Sequence, residues 1–316
     1  MNKNAAARAL KRAPGLTGKR NILQRWQLYA MLVLPIIYLL IFCYYPMLGI
    51  QLAFRKYTAR LGVWNSQWIG LANFEKFYKS YQFWPVLRNT FSLSVYAILA
   101  SLPTAVILAL SLNAVQGRRV KKTVQLMTYM PNFISTVVMV SILKQLLHPR
   151  LGLYAAASQL FGFQAVDLFG SASAFPHLYV WANVWQKTGW SSIIYLAALS
   201  AVDPEHHEAA IMDGASRFQR ILHIDIPVII PTALIMLILN MGQVMSLGFE
   251  RVFLMQTDLN LGASEIVSTY VYKVGLQGIP DFSYSTAINL FNSVINMILI
   301  VAMNGITKRA GGDGLF

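Results

Sequence analysis

The chain has 316 residues, of which 56% are apolar and only 12% charged, with a mean hydropathy of +0.50. A soluble domain carries about twice that charged fraction, and several apolar runs reach the roughly 20 residues that a helix needs to cross a bilayer. That excludes an ordinary soluble fold. The absence of many short alternating segments argues against a β-barrel. The net charge of +14 would suit a nucleic-acid binder, but the basic residues cluster at the tail and in one short loop, where membrane topology uses them. No nucleic-acid partner is expected.

In chain order, a basic tail (1–27) carries Lys3, Arg8, Lys11, Arg12, Lys19, Arg20 and Arg25. The first apolar run follows. It is too long for a signal-peptide core and no small-residue cleavage site follows it, so it reads as a retained first transmembrane helix, 28–54. The one cysteine, Cys43, lies inside it, and no intrachain disulfide is possible. The segment 55–84 is rich in aromatics (Tyr57, Trp64, Trp68, Phe74, Phe77, Tyr78, Tyr81, Phe83, Trp84). It suits an interfacial belt or a docking surface for another protein.

Residues 85–307 form the core transmembrane domain, followed by a short tail (308–316). Spans are expected near 28–51, 85–113, 124–147, 177–201, 228–248 and 285–307, which predicts an all-α, six-span bundle. Prolines 35, 46, 103, 131 and 231 fall in or at the ends of these spans, where neighbouring helices can satisfy the freed backbone groups. With the N-terminus inside, the cytoplasmic segments, including the loop "QGRRVKK" at 116–122, hold 15 Lys and Arg against 8 on the other side. The asymmetry predicts both termini inside.

That orientation places residues 203–227 in the cytoplasm. Asp203-Pro204-Glu205 opens a helix: an Asp cap, a Pro in the first turn, and acids at the positive end of the dipole. The helix is expected to reach about Asp213, with Gly214 in a left-handed turn. Ser216 and Gln219 then have the spacing of a capping box for a second helix. Its apolar face would be Phe218, Ile221 and Leu222, and Pro227 closes the loop. Helices this short are marginal in water, so they pack either on the bundle's own end or on a partner.

The stretch "EAAIMDGASRFQRILHIDIP" resembles the EAA loop of permease subunits of bacterial ABC importers, the binding-protein-dependent, MalF/MetI-like (type I) class. Glu208-Ala209-Ala210 is followed by Asp213-Gly214-Ala215, Ile224 and Pro227. Ile226 stands where that family usually has Leu. The resemblance implies a coupling helix docked in a groove of a cytoplasmic ATPase, with Glu208 the acidic contact, Gly214 the turn, and Ala209 and Ala210 allowing close approach. "LPIIYLLIFCYYPMLGIQLAFRKY", "WIGLANFEKF" and "RNTFSLSVYAIL" are similar to the LplB-like branch, the permeases for complex oligosaccharides and polysaccharides. It implies a multi-pass protein of the bacterial cytoplasmic membrane, surrounded by lipid. Its partners would be a second homologous permease, two ATP-binding subunits, an extracytoplasmic solute-binding protein and a saccharide.

No catalytic constellation is visible. The phosphate-cradling Gly-Lys-Ser/Thr loop is absent, so the chain is expected to bind no cofactor and to leave ATP and Mg to the partner ATPase. His206-His207-Glu208 lacks metal-site spacing and reads as surface histidines. The spans carry polar faces: Asn183, Gln186, Lys187 and Trp190 in span four, Asn240 and Gln243 in span five, Asn289, Asn292 and Asn296 in span six. They serve either as interhelical hydrogen bonds or as a wet path for hydroxyl-bearing solutes, and Lys187 in mid-bundle favours a cavity and an acidic saccharide. The alternatives are a permease for another solute, such as a peptide or amino acid, and, from a different class, a membrane sensor or assembly subunit.

Overall fold

The computed structural model describes residues 26–309; the basic tail to Arg25 and the last seven residues lie outside them. The first helix, α1 (Trp26–Phe54), is apolar along its length and carries Pro35; its residues to Gln51 belong to the first of two units. Just ahead of Pro46 the helix widens into a π turn at Leu40–Tyr44, which also contains Cys43. A proline ring clashes with the carbonyl four residues back, here that of Phe42 inside the turn, and a helix relieves such conflicts by kinks and bulges.

The second unit begins at Leu52. A two-residue antiparallel pair, β1 (Arg55–Lys56) and β2 (Gln67–Trp68), precedes the short helix α2 (Ala72–Tyr78). Then comes α3 (Phe83–Ala114), which at 32 residues and 1.5 Å per residue is about 48 Å long. It runs the full height of the bundle, so the groups at its two ends define two separate faces. At its Phe83 end, Phe77, Phe83, Val86, Met245, Val267, Tyr284 and Ile288 form a buried cluster. At its Ala114 end, Ala105 and Ala109 pack with Tyr195, Leu199 and Ile229. The middle cluster joins Leu93, Met139, Phe175, Val180, Val252 and Ile266.

The segment 55–84 belongs to the Phe83 end. Phe77 is buried among Phe83, Tyr270, Tyr284 and Phe291. Lys76 Nζ meets Asp281 Oδ2 at 2.8 Å, and the Tyr57 amide donates to Ser283 Oγ at 2.8 Å. The aromatics expected to form a belt or a docking surface therefore divide: Phe77 and Phe83 are core, while Trp64, Tyr78, Tyr81 and Trp84 remain exposed.

The span expected at 124–147 is not a single helix. It is α4 (Arg118–Tyr129), a tight turn at Met130–Phe133, and α5 (Thr136–Leu146), bent by 103°. Pro131 is buried at the break, and Ser135 caps α5 by accepting from the Val138 amide at 3.3 Å. A proline followed by a capping serine is a stop and restart. After α6 (Leu153–Leu160) comes α7 (Phe175–Leu199), the central helix packed along α3. Gly189 of α7 lies against α4 so closely that a Cβ there would sit 2.0 Å from the Thr128 carbonyl oxygen. Small residues let membrane helices approach in this way.

The helices α8 (Pro204–Met212), α9 (Arg217–Met241), α10 (Phe249–Met255), α11 (Val267–Leu276) and α12 (Phe282–Arg309) complete the unit. Span five differs from expectation at both ends. Pro227 does not close the loop, because a π turn at Ile221–Asp225 carries the helix through it. The span stops at Met241, ahead of Gly242 and a one-turn helix at Val244–Ser246.

Among the described residues, α1, α3, α9 and α12 are long and apolar enough to cross a membrane, and the bent pair would make a fifth span. At 25 residues α7 has the length, but Asn183, Gln186 and Lys187 dilute its apolar character.

Candidate functional site

Two regions gather the polar residues singled out above. The first is the charged loop, at the Ala114 end of α3. Asp203 caps α8 by accepting from the Glu205 amide at 3.0 Å. The helix ends in a Schellman turn, in which the Gly214 amide donates to Ile211 O at 3.0 Å and the Ala215 amide to Ala210 O at 2.9 Å. Gly214 has φ +79°, and open space surrounds the position of a Cβ. The backbone angle, and not crowding, is what calls for glycine here. The capping box is complete: Ser216 Oγ accepts from the Gln219 amide and the Ser216 amide donates to Gln219 Oε1 at 2.7 Å.

Of the loop residues picked from sequence, Glu208, Ala209, Asp213, Gly214 and Pro227 are exposed, and Ala210 and Ile224 are half-buried. The loop also leaves Ile211, Met212 and Phe218 uncovered, with Met212 87% exposed. Ile211 and Met212 carried no sequence signal of exposure, because an apolar residue on a short helix looks the same whether it faces a bundle or a partner.

The second region is a cavity of about 310 Å³ in mid-bundle. Asn183 and Lys187 of α7 and Asn240 and Gln243 near the end of α9 line it, with Ser94, Ser101, Tyr179, Glu250 and Arg251. Arg251 is 8% exposed. Its guanidinium donates through Nη1 to Asn183 Oδ1 and through Nη2 to Gln186 Oε1. The same group lies 5.8 Å from the centre of the Tyr179 ring. Lys187 Nζ donates to Asn132 Oδ1 at 3.0 Å. Among the described residues no acid forms an ion pair with Arg251 or Lys187. Both cations are held by amide oxygens.

The polar faces read from sequence therefore divide. Asn183, Lys187, Asn240 and Gln243 share the cavity. Gln186 instead ties α7 to the α4–α5 break, donating to Ile134 O at 2.7 Å as well as accepting from Arg251. Asn292 Nδ2 donates to Met245 O at 2.9 Å, and Asn296 accepts from the Met245 amide and donates to Ser246 Oγ. These two asparagines satisfy the backbone freed where α9 stops, as interhelical hydrogen bonds do. Asn289 lines a different, mostly apolar cavity with Phe249 and Tyr272. Trp190 is 51% exposed and meets Phe133 edge-on, away from the cavity. Sequence reading missed Arg251 and Glu250, which sit on a short helix outside every expected span. An arginine next to an acid in a connecting segment carries no periodic signal.

A bundle of apolar helices with a polar, cation-lined cavity at mid-height and an exposed, capped helical loop at one end has the features of a membrane transport component. Residues 87–311 match the family model "Binding-protein-dependent transport system inner membrane component". The chain belongs to that family, and is thus a multi-pass inner-membrane transport subunit and not an enzyme. It is 40% identical to Protein LplB of Bacillus subtilis over 92% of this chain and 91% of that one. It is 39% identical to the polygalacturonan/rhamnogalacturonan transport system permease protein YteP of the same organism, over 93% and 92%. Among solved structures, a chain of the bacterial alginate ABC transporter in complex with an alginate pentasaccharide-bound periplasmic protein superposes with a TM-score of 0.86. It is 33% identical, with 94% of this chain and 99% of that one covered.

Proposed function

We propose that this protein is the permease subunit of an ATP-driven importer for acidic oligosaccharides, with the mid-bundle cavity as part of the path and the loop 203–227 as the ATPase contact. The carrying observation is the pair of cavity cations, Lys187 and Arg251, which are held by amides and not by carboxylates. Arg251 is buried while Lys187 is exposed to the cavity, and a charge within a membrane bundle marks a substrate or ion pathway by default. Glu250 shares the lining but forms no ion pair with either cation; a uronic acid passing the cavity would pair with them, and Asn183, Asn240 and Gln243 would meet its hydroxyls. The alginate and polygalacturonan names of the relatives support the same class.

In this reading the six-span, both-termini-inside topology holds, with α7 and the bent α4–α5 pair as the two less apolar spans. The loop then faces the cytoplasm and 55–84 faces outward toward a solute-binding protein. One such bundle forms half of an enclosed path, so a second homologous permease completes it, and two ATP-binding subunits drive it. Glu208, Ala209, Ala210, Asp213, Gly214, Ile224 and Pro227 form the coupling segment, extended by the exposed Ile211, Met212 and Phe218. ATP and Mg act in the partner subunits. Closure of those subunits would displace α8 as a rigid body and switch the cavity between its two openings.

The test is competitive uptake by cells carrying the intact importer, offered oligomers of alginate or galacturonan against neutral oligosaccharides of equal length. Lys187→Met is expected to depress acidic uptake at least about tenfold more than neutral uptake, the factor that about 1.4 kcal/mol supplies. Equal losses would leave a permease for neutral saccharides as the better reading.

A further inference from the structure

We propose that His207 and Asp225 form the tie through which movement of α8 reaches α9, the next membrane helix. This rests on the coupling reading above, and adds to it the residues that carry the motion from loop to span.

None of the α8 residues is buried, and its exposed apolar positions, Ile211 and Met212, face away from the bundle's own core. An isolated helix of nine residues is marginal in water. Its forward connection along the chain is the Asp213–Gly214 turn, with open space around Gly214. A push on α8 would dissipate in that turn unless some side chain bridged it. His207 is one of only two half-buried residues in α8. Its Nε2 lies 3.3 Å from Asp225 Oδ1, within ion-pair reach though outside aligned hydrogen-bond geometry. Asp225 is 3% exposed, and a carboxylate so deeply placed needs a counter-charge.

Asp225 is the last residue of the π turn in α9, where the Ile226 amide reaches back to Ile221 O. Without that extra residue the helix would present a different side chain to α8, and π turns inside helices recur at functional sites. The pair closes over a cavity of about 420 Å³ lined also by Asn113, Ser200, Glu208, Arg217 and Arg220. Arg220 is the rival cation for Asp225, but among the described ion pairs only His207 reaches it. The contact spans 18 positions of sequence and joins the exposed knob directly to the base of a membrane span, bypassing the turn.

The test uses the importer purified through this chain with its own subunits, placed in vesicles, and given whichever acidic or neutral oligosaccharide pool the native complex imports. Solute taken up per ATP hydrolysed is compared for native protein, His207→Ala, His207→Lys and Asp225→Asn, with Glu208→Ala as reference. The expected result for His207→Ala and Asp225→Asn is retained ATPase subunits, with hydrolysis within about twofold of native and a fall in solute per ATP of at least about fivefold, the lower edge of ordinary coupling energies. His207→Lys, which places an ammonium opposite Asp225, restores the ratio. If Asp225→Asn does not fold, the two His207 variants decide alone. A native ratio in His207→Ala, beside loss of the ATPase in Glu208→Ala, overturns the tie and leaves the coupling reading intact. A Glu208→Ala complex that matches native in every measure overturns both.

Discussion

The charged loop and the mid-bundle cavity are built on opposite plans. Every bond that shapes the loop's two turns is local: Asp203 to Glu205, Ala215 to Ala210, Ser216 to Gln219. The cavity is assembled from afar, with Arg251 gripping residues 65 and 68 positions away and Asn292 reaching back 47. Local bonds make a unit that holds its shape while its side chains stay free for a partner. Distant bonds make a chamber whose shape depends on the packing of the helices around it, so any shift of α7, α9 or α10 changes it. On the proposed reading, the loop as the part that is gripped and the cavity as the part that changes have constructions suited to each.

That contrast can be broken most severely at Gly214. Replacement by Pro forces φ from +79° to about −65°, and the Schellman turn cannot form. Substrate-stimulated ATP hydrolysis should fall to the background of the ATPase alone, while membrane insertion and the melting profile stay native. A stimulated rate within about twofold of native would mean that the loop's shape is irrelevant to its partner.

Arg251→Met attacks the other plan. It strands Asn183 and Gln186 in a buried setting, and a lost bond to a charged group costs about 1.5–3 kcal/mol. A lowered melting temperature together with loss of uptake should follow, with the ATPase still bound. Gly189→Val tests packing without touching polarity. A Cβ 2.0 Å from the Thr128 oxygen must push α4 from α7, with an expected cost of about 1–3 kcal/mol, read as a drop in melting temperature. Asn292→Ala should cost only about 0.6 kcal/mol, the average for an interhelical hydrogen bond.

The smallest effect should come from Lys79. Its exposed pair with Glu75 lowers the Glu75 carboxyl pKa and raises the Lys79 pKa. Any stabilisation from the depressed carboxyl is present above the ordinary carboxylate range and lost as pH falls through the lowered value; that from the raised amine is lost as pH rises through its own. Full exposure screens both, and Lys79→Gln should leave the melting temperature unchanged at neutral pH.

The same contrast explains how much was legible in the sequence. The caps at Asp203 and Ser216, the Gly214 turn and the helical reach of α3 and α12 are set by near neighbours, and their signatures stand within a few residues. The break at Pro131–Ser135 was equally local, but hydropathy across it is continuous and hid the 103° bend. The asparagines of α12 carried the right period and still did not say what they face, because the period marks an inward side without naming what lies there. Arg251 was invisible for the converse reason: its partners Asn183 and Gln186 were recognised, but nothing nearby showed that a guanidinium arrives between them. His207 reads as a surface histidine in the sequence because Asp225, which it meets in the fold, lies 18 positions away.

The most direct test of the account is substrate-stimulated ATP hydrolysis by the purified complex, comparing native protein with Glu208→Ala, with retained ATPase read from the same samples. The account predicts that the variant loses stimulation, or the ATPase itself, while the membrane bundle melts as native protein does. Full stimulation and full ATPase retention in Glu208→Ala would contradict it, reducing the loop to a cap on the end of the bundle.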